Sequence, residues 1–558
     1  MKGKKASEVP PQTAKAPHTG NHLYFGDNLD ILREHIADES VDLIYLDPPF
    51  NSNANYNVLF KTPKGHESDA QIEAFEDTWH WGPEAEREFG EIVRSENTNV
   101  SEMMQALRKF LGENDMMAYL TMMANRLTEL HRVLKPTGSL YLHCDPTASH
   151  YLKVVLDGVF GGNNYRSEIS WKRSSAHNDA KQGRRQYGNI RDVILFYSKS
   201  DDWIWNWQYT PYDPSYIEKN YRHVEEKTGR LYRLDNLTAA KPGGDVSYEF
   251  MGRKPYKGRY WAYSKENMQK FYDEGRLYFP ANGGTPAYKR YLDEMPGVPL
   301  QNDWGDIKPA LGDESLGYPT QKPVTLLERI IQVSSNEGDV VLDPFCGCGT
   351  AVHAAQKLNR HWIGIDITHL AISLIEKRLK DAFPGIGFDV HGTPKDIDGA
   401  RDLAQRDKYQ FQWWACSLVN AQPYQGKKKG ADGGIDGLIF FQDELNAHKK
   451  IVVSVKGGEN VTVAMVRDLA HVVAREKAEI GLFVTLTEPT KPMMTEAIKE
   501  GFYTSPDTAK AYPKIQILTI EGLLNGTERA DYPDLSQGGT TFKKAKREAK
   551  VAEQKDLF

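Results

Sequence analysis

The run Val41-Asp42-Leu43-Ile44-Tyr45-Leu46 ends on Asp47-Pro48-Pro49-Phe50, and that ending limits the fold more than any other stretch. Four apolar or aromatic residues in succession read as a buried strand of a parallel sheet. Two prolines then stop it, since neither donates to a ladder and each fixes its own φ. An acid, two rigid carbonyls and an aromatic face are thereby held at the carboxyl edge of a sheet, where open α/β folds bind ligands. The four letters alone fit a plain strand-ending turn equally well. A second stretch tips that balance: Asp339-Val340-Val341-Leu342 is another buried strand, followed by Asp343-Pro344-Phe345-Cys346-Gly347-Cys348-Gly349-Thr350.

A chain of 558 residues is too long for one core and implies two to four domains. No apolar run approaches the ~20 residues of a membrane span, and the amino terminus lacks a signal peptide's apolar core. The expected location is therefore the cytoplasm, with no membrane partner. Cys144, Cys346, Cys348 and Cys416 give neither a disulfide framework nor zinc spacing, and read as structural. The net charge of -6 leaves nucleic-acid binding open, because clustering of Lys and Arg decides it.

Residues 1–20 are basic and aperiodic, which predicts a disordered tail. From 21 to 164 a strand (Leu23 to Phe25), a helix (Leu29 to Ile36) and the Asp47 strand form a β-α-β unit. Residues 51–115 read as long loops over a site plus one or two helices. A helix over Asp115 to Leu134 and a strand over Ser139 to Asp145 follow. Between 165 and 310 helical patterns thin and basic residues interleave with aromatics: Trp171-Lys172-Arg173, Lys181, Arg184-Arg185, Trp203, Trp205, Trp207, Lys254, Lys257 and Arg259. Such a surface suits double-stranded DNA; a β-rich insert with a solvated basic face is the plainer alternative. Residues 311–390 return to α/β. A Gly- and Pro-bearing linker leads to a last domain, 401–530, and a charged tail, 531–558.

The turn after Asp343 lets a ligand approach the backbone, since Gly347 and Gly349 carry no Cβ. Asp366, ending the next strand, is placed to accept from two ribose hydroxyls. The loop lacks the Lys-Ser/Thr pair and the GxGxxG spacing of phosphate-binding turns. A nucleoside without a phosphate chain fits, and S-adenosylmethionine is the obvious case.

Asp343 to Thr350 resembles the cofactor motif of amino-DNA methyltransferases, and Asp47-Pro48-Pro49-Phe50 resembles their catalytic motif. Catalytic motif first and cofactor motif last is similar to the beta class, which includes type III modification subunits. The resemblance covers about 21–385. It implies a doubly wound, circularly permuted S-adenosylmethionine-dependent sheet of about seven mainly parallel strands, the 165–310 insert being the target-recognition region. It matches Asp27 to the acid that contacts the cofactor's adenine, Asp366 to the ribose acid, and Asp343, Phe345, Gly347 and Gly349 to the cofactor loop. Thr320 and Lys322 match the element closing over the methionine end. A second copy of the chain, or a separate restriction subunit, is the implied protein partner.

An exocyclic amine is a poor nucleophile because its lone pair is delocalised into the ring. Asp47 and the Pro48 carbonyl could accept its two N–H groups and Phe50 could stack on the base, so positioning supplies much of the rate. An acid at the first motif position favours adenine N6. Cytosine N4, and a catalytically silent DNA-binding or defence protein, are the alternatives.

Toward the carboxyl end, Asp436 precedes one strand and Ser454-Val455-Lys456 lies on the next. Acid, then x-x-Lys, resembles the PD-(D/E)xK fold of Mrr-like restriction endonucleases. By that resemblance Asp436 would hold Mg²⁺ and Lys456 would steady the attacking water. Ser454 stands where the family has Glu, Asp or Gln, and a hydroxyl is the poorer Mg²⁺ ligand. Asp432 is the candidate substitute acid, and Lys427-Lys428-Lys429 suits phosphate contacts or a solvated loop. An active nuclease, which would make the chain a fused restriction–modification protein, and a DNA-binding or vestigial module both stay open.

Overall fold

A computed structural model describes residues 20–49, 55–61, 67–76, 79–174, 185, 187–240, 247–312, 314–316, 318, 320–424, 433–444, 447–534 and 541–548. Phe50, Lys181, Arg184, Lys427 to Lys429, Asp432 and the tail 1–19 lie outside them.

The main sheet has nine strands: β1 (His22–Phe25), β2 (Val41–Leu46), β3 (Leu134–Cys144), β4 (Tyr165–Lys172), β5 (Arg191–Ser198), β6 (Asp303–Trp304), β7 (Val340–Asp343), β8 (His361–Asp366) and β9 (Asp389–His391). Their order is β6-β4-β5-β3-β2-β7-β8-β1-β9, and every pairing is parallel except the two made by β5. The two halves of the sequence meet where Leu43 and Ile44 pair with Val341 and Leu342. Side chains alternate between faces, so Ile44 and Leu46 enter one core while Leu43 and Tyr45 enter the other. Helices Asn28–His35, Asp115–Val133 and Ser149–Phe160 cover the first face; Val324–Ser334, Thr350–Lys357 and His369–Ala382 cover the second. A carboxylate buried between the halves ties them: Asp42 accepts from Lys135 at 2.8 Å and from the Val340 amide at 2.9 Å.

Three expectations change. Residues 55–76 include an antiparallel hairpin, Asn55–Lys61 with Glu67–Glu76, where the sequence suggests loops and one or two helices. The sheet has nine strands rather than about seven, because β4, β5 and β6 extend it from within the stretch read as an insert. Trp171 accordingly lies in the core, its indole N–H bonded to the Ile307 carbonyl at 3.1 Å, and is unavailable to a base. The separate compact unit is narrower, Trp207–Gln301. It holds a four-stranded antiparallel sheet and its own core of Leu237, Phe250, Trp261, Met268 and Leu277.

The last domain is a five-stranded sheet: β10 (Gln422–Pro423), β11 (Gly437–Glu444), β12 (Ala447–Lys456), β13 (Ile480–Thr485) and β14 (Ile515–Thr519), in chain order. Helices Ile397–Arg406 and Lys408–Leu418 cover one face and Val463–Arg475 and Lys491–Lys499 the other. Residues 541–548 run back across both domains. Thr541 exchanges hydrogen bonds with Phe440 at 3.0 Å, Phe542 packs against the cluster of Tyr318, Cys348 and Leu370 that Trp413 and Tyr424 also join, and Glu548 meets His353 at 3.1 Å and Lys357 at 3.3 Å. Among the described residues no helix is long and apolar enough to cross a membrane.

Candidate active site

The carboxyl ends of β1, β2, β7 and β8 open into one cavity of about 260 Å³. Asp47, Pro48 and Pro49 form one wall, and Asp343, Phe345 and Gly347 another. Asp27, Asp366, Thr320 and Lys322 complete it, so residues as far apart in sequence as Asp27 and Asp366 share one space. Gly349 stands behind the lining. Its φ of 76° starts helix Thr350–Lys357 in a left-handed turn, and a Cβ there would lie 2.8 Å from Ile375.

Each acid is held differently. Asp366 accepts from the Gly347 amide at 2.9 Å and from the Thr368 amide and hydroxyl at 2.9 Å. Burial nonetheless pushes its carboxyl up to about 6, against those bonds. Asp343 accepts from the Phe345 amide at 3.0 Å. Burial pushes it well above the usual carboxylate range; that amide bond and the Lys322 charge oppose the rise, while Asp47 and Asp366 add to it. Asp27 caps helix Asn28–His35 by accepting from the Leu29 amide at 2.7 Å. Asp47 receives the Lys322 ammonium on Oδ2, and its Oδ1 is buried with no hydrogen-bond partner.

Four contributors escape a motif-based reading. Arg126, buried on helix Asp115–Val133, donates to Asp27 at 2.9 and 3.2 Å and to the Asn28 side chain at 2.6 Å. Asn28 in turn donates to the Pro344 carbonyl at 2.8 Å, joining the first strand's turn to the Gly-rich loop. Tyr45 lines the cavity and continues a buried chain, with its hydroxyl 2.9 Å from His143 Nδ1 and His143 Nε2 3.1 Å from Asp192. Trp79 supplies an aromatic wall. The signal for Arg126 was present: one charge falls among Met122, Met123, Leu127 and Leu130 on the buried helix face.

A family profile described as DNA methylase matches residues 41–377, more than half of the chain. The chain belongs to the DNA methylase family. Type II methyltransferase M.EcaI of Enterobacter cloacae is 32% identical to this methylase over 263 residues, 47% of this chain and 57% of the relative. The StyLTI Mod subunit, of a type III restriction-modification enzyme of Salmonella typhimurium, is 28% identical over 364 residues, 62% and 51% of the two. DNA adenine methyltransferase YhdJ of Escherichia coli K12 is 26% identical over 363 residues, 64% and 82%. This methylase thus spans little more than half the length of M.EcaI and of the Mod subunit.

Beyond the methylase match, a profile named NACHT-associated inactive restriction endonuclease 1 covers 416–525. The carboxyl-terminal domain is restriction-endonuclease-like, and the described residues around Asp436 do not fit Mg²⁺. Asp436 is buried and its oxygens already accept from Gln412 at 2.8 Å, the Val455 amide at 2.7 Å and the Ser454 hydroxyl at 3.4 Å, with Lys456 at 3.7 Å. Among the described residues no group of three with metal-ligand spacing includes it. The one group of three with metal-ligand spacing there is His22, Asp389 and His391, on the edge of the main sheet. Lys456 borders a cavity of about 360 Å³ also lined by Lys408, Gln412 and Asn460.

Proposed function

We propose that this methylase transfers a methyl group from S-adenosylmethionine to the N6 amine of adenine in double-stranded DNA. The observation that carries the reading is Asp47 Oδ1, a buried acceptor without a partner, opening on the cavity that holds Asp366 and the Gly347 turn. An unfilled buried acceptor is costly unless a ligand donor fills it. The bound cofactor would supply an electrophilic methyl group. Asp366 would hold its ribose hydroxyls, Asp27 its adenine, and Asp343, Phe345 and Gly347 would shape the loop around it. Asp47 and the Pro48 carbonyl would accept the two N–H groups of the target amine, localising its lone pair on nitrogen. The base must first leave the duplex, at a cost of a few kcal/mol. The acid at the first motif position and the likeness to YhdJ favour adenine over cytosine.

We further infer that the restriction-endonuclease-like domain binds DNA without cutting it, because Asp436 is filled by the protein's own donors while Lys456 is retained. Cleavage would then fall to a separate restriction subunit, in keeping with the likeness to a Mod subunit. Incubation of unmethylated mixed-sequence plasmid with the protein, S-adenosylmethionine and Mg²⁺ is expected to yield N6-methyladenine by mass spectrometry and no strand breaks. N4-methylcytosine would overturn the choice of base, and Mg²⁺-dependent breaks the reading of the last domain.

A pH dependence follows from Asp366. Its folded value of about 6 exceeds an ordinary carboxylate's ~3.9, so its ionisation between those values subtracts from the stability of the cofactor-free protein. Ribose hydroxyls donate to the ionised form, so binding is complete above that value. Cofactor affinity is expected to fall by up to about tenfold per unit below about pH 6. Asp366→Asn should bind weakly throughout and lose the slope, as calorimetric titration from pH 5 to 8 would reveal. Equal affinity at pH 5 and 8 in the parent protein would remove Asp366 from the cofactor site.

A further inference from the structure

The cavity concentrates negative charge: Asp47, Asp343 and Asp366 line it together. The ammonium of Lys322, itself only 9% exposed, is placed on Asp47 Oδ2. Its loop is braced, and so is the ion pair. Gln321 accepts from the Leu316 amide and donates to the Glu314 carbonyl, both at 2.7 Å, while Glu314 accepts from the Val324 amide at 2.6 Å. The second Lys322 bond, at 3.4 Å, goes to the Thr320 carbonyl within the same loop. Motif resemblance gives Lys322 to the cofactor; the geometry gives it to the acid on the opposite wall.

We propose that Lys322 is a positioning residue for Asp47, occupying Oδ2 and fixing the carboxylate so that Oδ1 alone is presented to the incoming amine. This inference rests on the reading of Asp47 as the acceptor of a DNA amine. A rigid ion pair fits that task because a carboxylate free to rotate would offer either oxygen, and small misplacements of an acceptor are expensive in rate. Arginine can keep the charge and one bond to Oδ2, although its planar fork does not reproduce a point charge.

The test compares full-length Lys322→Met, Lys322→Arg, Asp47→Asn and the double variant Asp47→Asn/Lys322→Met with the parent. Cofactor binding is measured by calorimetry with S-adenosylmethionine, and chemistry by single-turnover transfer of labelled methyl to DNA. Lys322→Met is expected to keep cofactor affinity within about threefold and to slow transfer by about 100-fold or more, with Lys322→Arg regaining at least about a tenth of the parent rate. Adding Lys322→Met to Asp47→Asn should slow transfer by no more than about twofold further, because the lysine acts through the acid. A loss in Lys322→Met wholly explained by weakened cofactor binding would overturn the proposal in favour of the cofactor role, and additive losses in the double variant would also overturn it. Should Lys322→Met fail to fold, the Lys322→Arg rate and the cycle built with Lys322→Gln decide by the same criteria. A parent protein that methylates no DNA would instead refute the function on which the proposal rests.

Discussion

Asp47→Ala is expected to lower single-turnover methyl transfer by about 10³-fold or more while cofactor affinity changes by no more than a few-fold. The acid ends β2, on the wall facing the Gly-rich turn, and Asp366 and Asp27 are held by backbone amides and Arg126 rather than by Asp47. Removing it deletes an acceptor needed as the amine turns tetrahedral, a loss felt in the chemical step. It also strands the Lys322 ammonium in a buried site, which costs on the order of 3–5 kcal/mol where no water replaces the partner. Asp47→Asn separates the two effects, since it keeps the shape and one acceptor oxygen. Single-turnover rates alongside cofactor titrations check the prediction; an alanine variant retaining a tenth of the parent rate would take Asp47 out of the reaction.

Arg126→Met is expected to destabilise the methylase sheet by about 3–5 kcal/mol and to weaken cofactor binding at least about tenfold. The guanidinium is buried, and it satisfies Asp27, Asn28 and the Met122 carbonyl, with Glu88 3.9 Å away. Burial already pushes Glu88 above its usual range, with the Arg126 charge opposing that rise. Without the arginine, Asp27, the Asn28 side-chain oxygen and the Met122 carbonyl lose its hydrogen bonds, and Glu88 loses the nearby positive charge. Against a typical domain stability of about 5–15 kcal/mol that is a large fraction. Arg126→Lys should fall between, because an ammonium cannot reach Asp27 and Asn28 together in the geometry of a planar fork. Thermal melts and cofactor calorimetry read both effects. A melting temperature within about 1 °C of the parent with unchanged affinity would reduce Arg126 to a bystander.

What could be read from the chain depended on whether local pattern and tertiary role agreed. β2 and β7 were legible because unbroken apolar runs stop at an Asp-Pro pair, and burial on both faces is what such runs require. In the last domain the strand after Asp436 and the one carrying Ser454 to Lys456 were legible from the same kind of apolar run. β4 and β5 were submerged in a stretch judged by its lysines, arginines and tryptophans, although Ile169 and Trp171 alternate with polar neighbours as half-buried strands do. The hairpin over 55–76 is polar and carries no such signal. Of the site, the acids that end strands were visible. The pairing of Lys322 with Asp47, 275 positions apart, is a product of topology that no local window contains.

The return of residues 541–548 gives the chain a closure that neither domain has alone. Phe542 shares a small apolar cluster with Tyr318 and Cys348, which line the cavity at the strand ends, and with Trp413 and Tyr424 of the restriction-endonuclease-like domain. Gln410 of that domain accepts from the His369 amide at 3.0 Å, three residues past Asp366. A ligand that shifted this shared wall would, because such coupling is reciprocal, be felt by the last domain as well. Severing the restriction-endonuclease-like domain from the methylase sheet would leave an apolar scar on each.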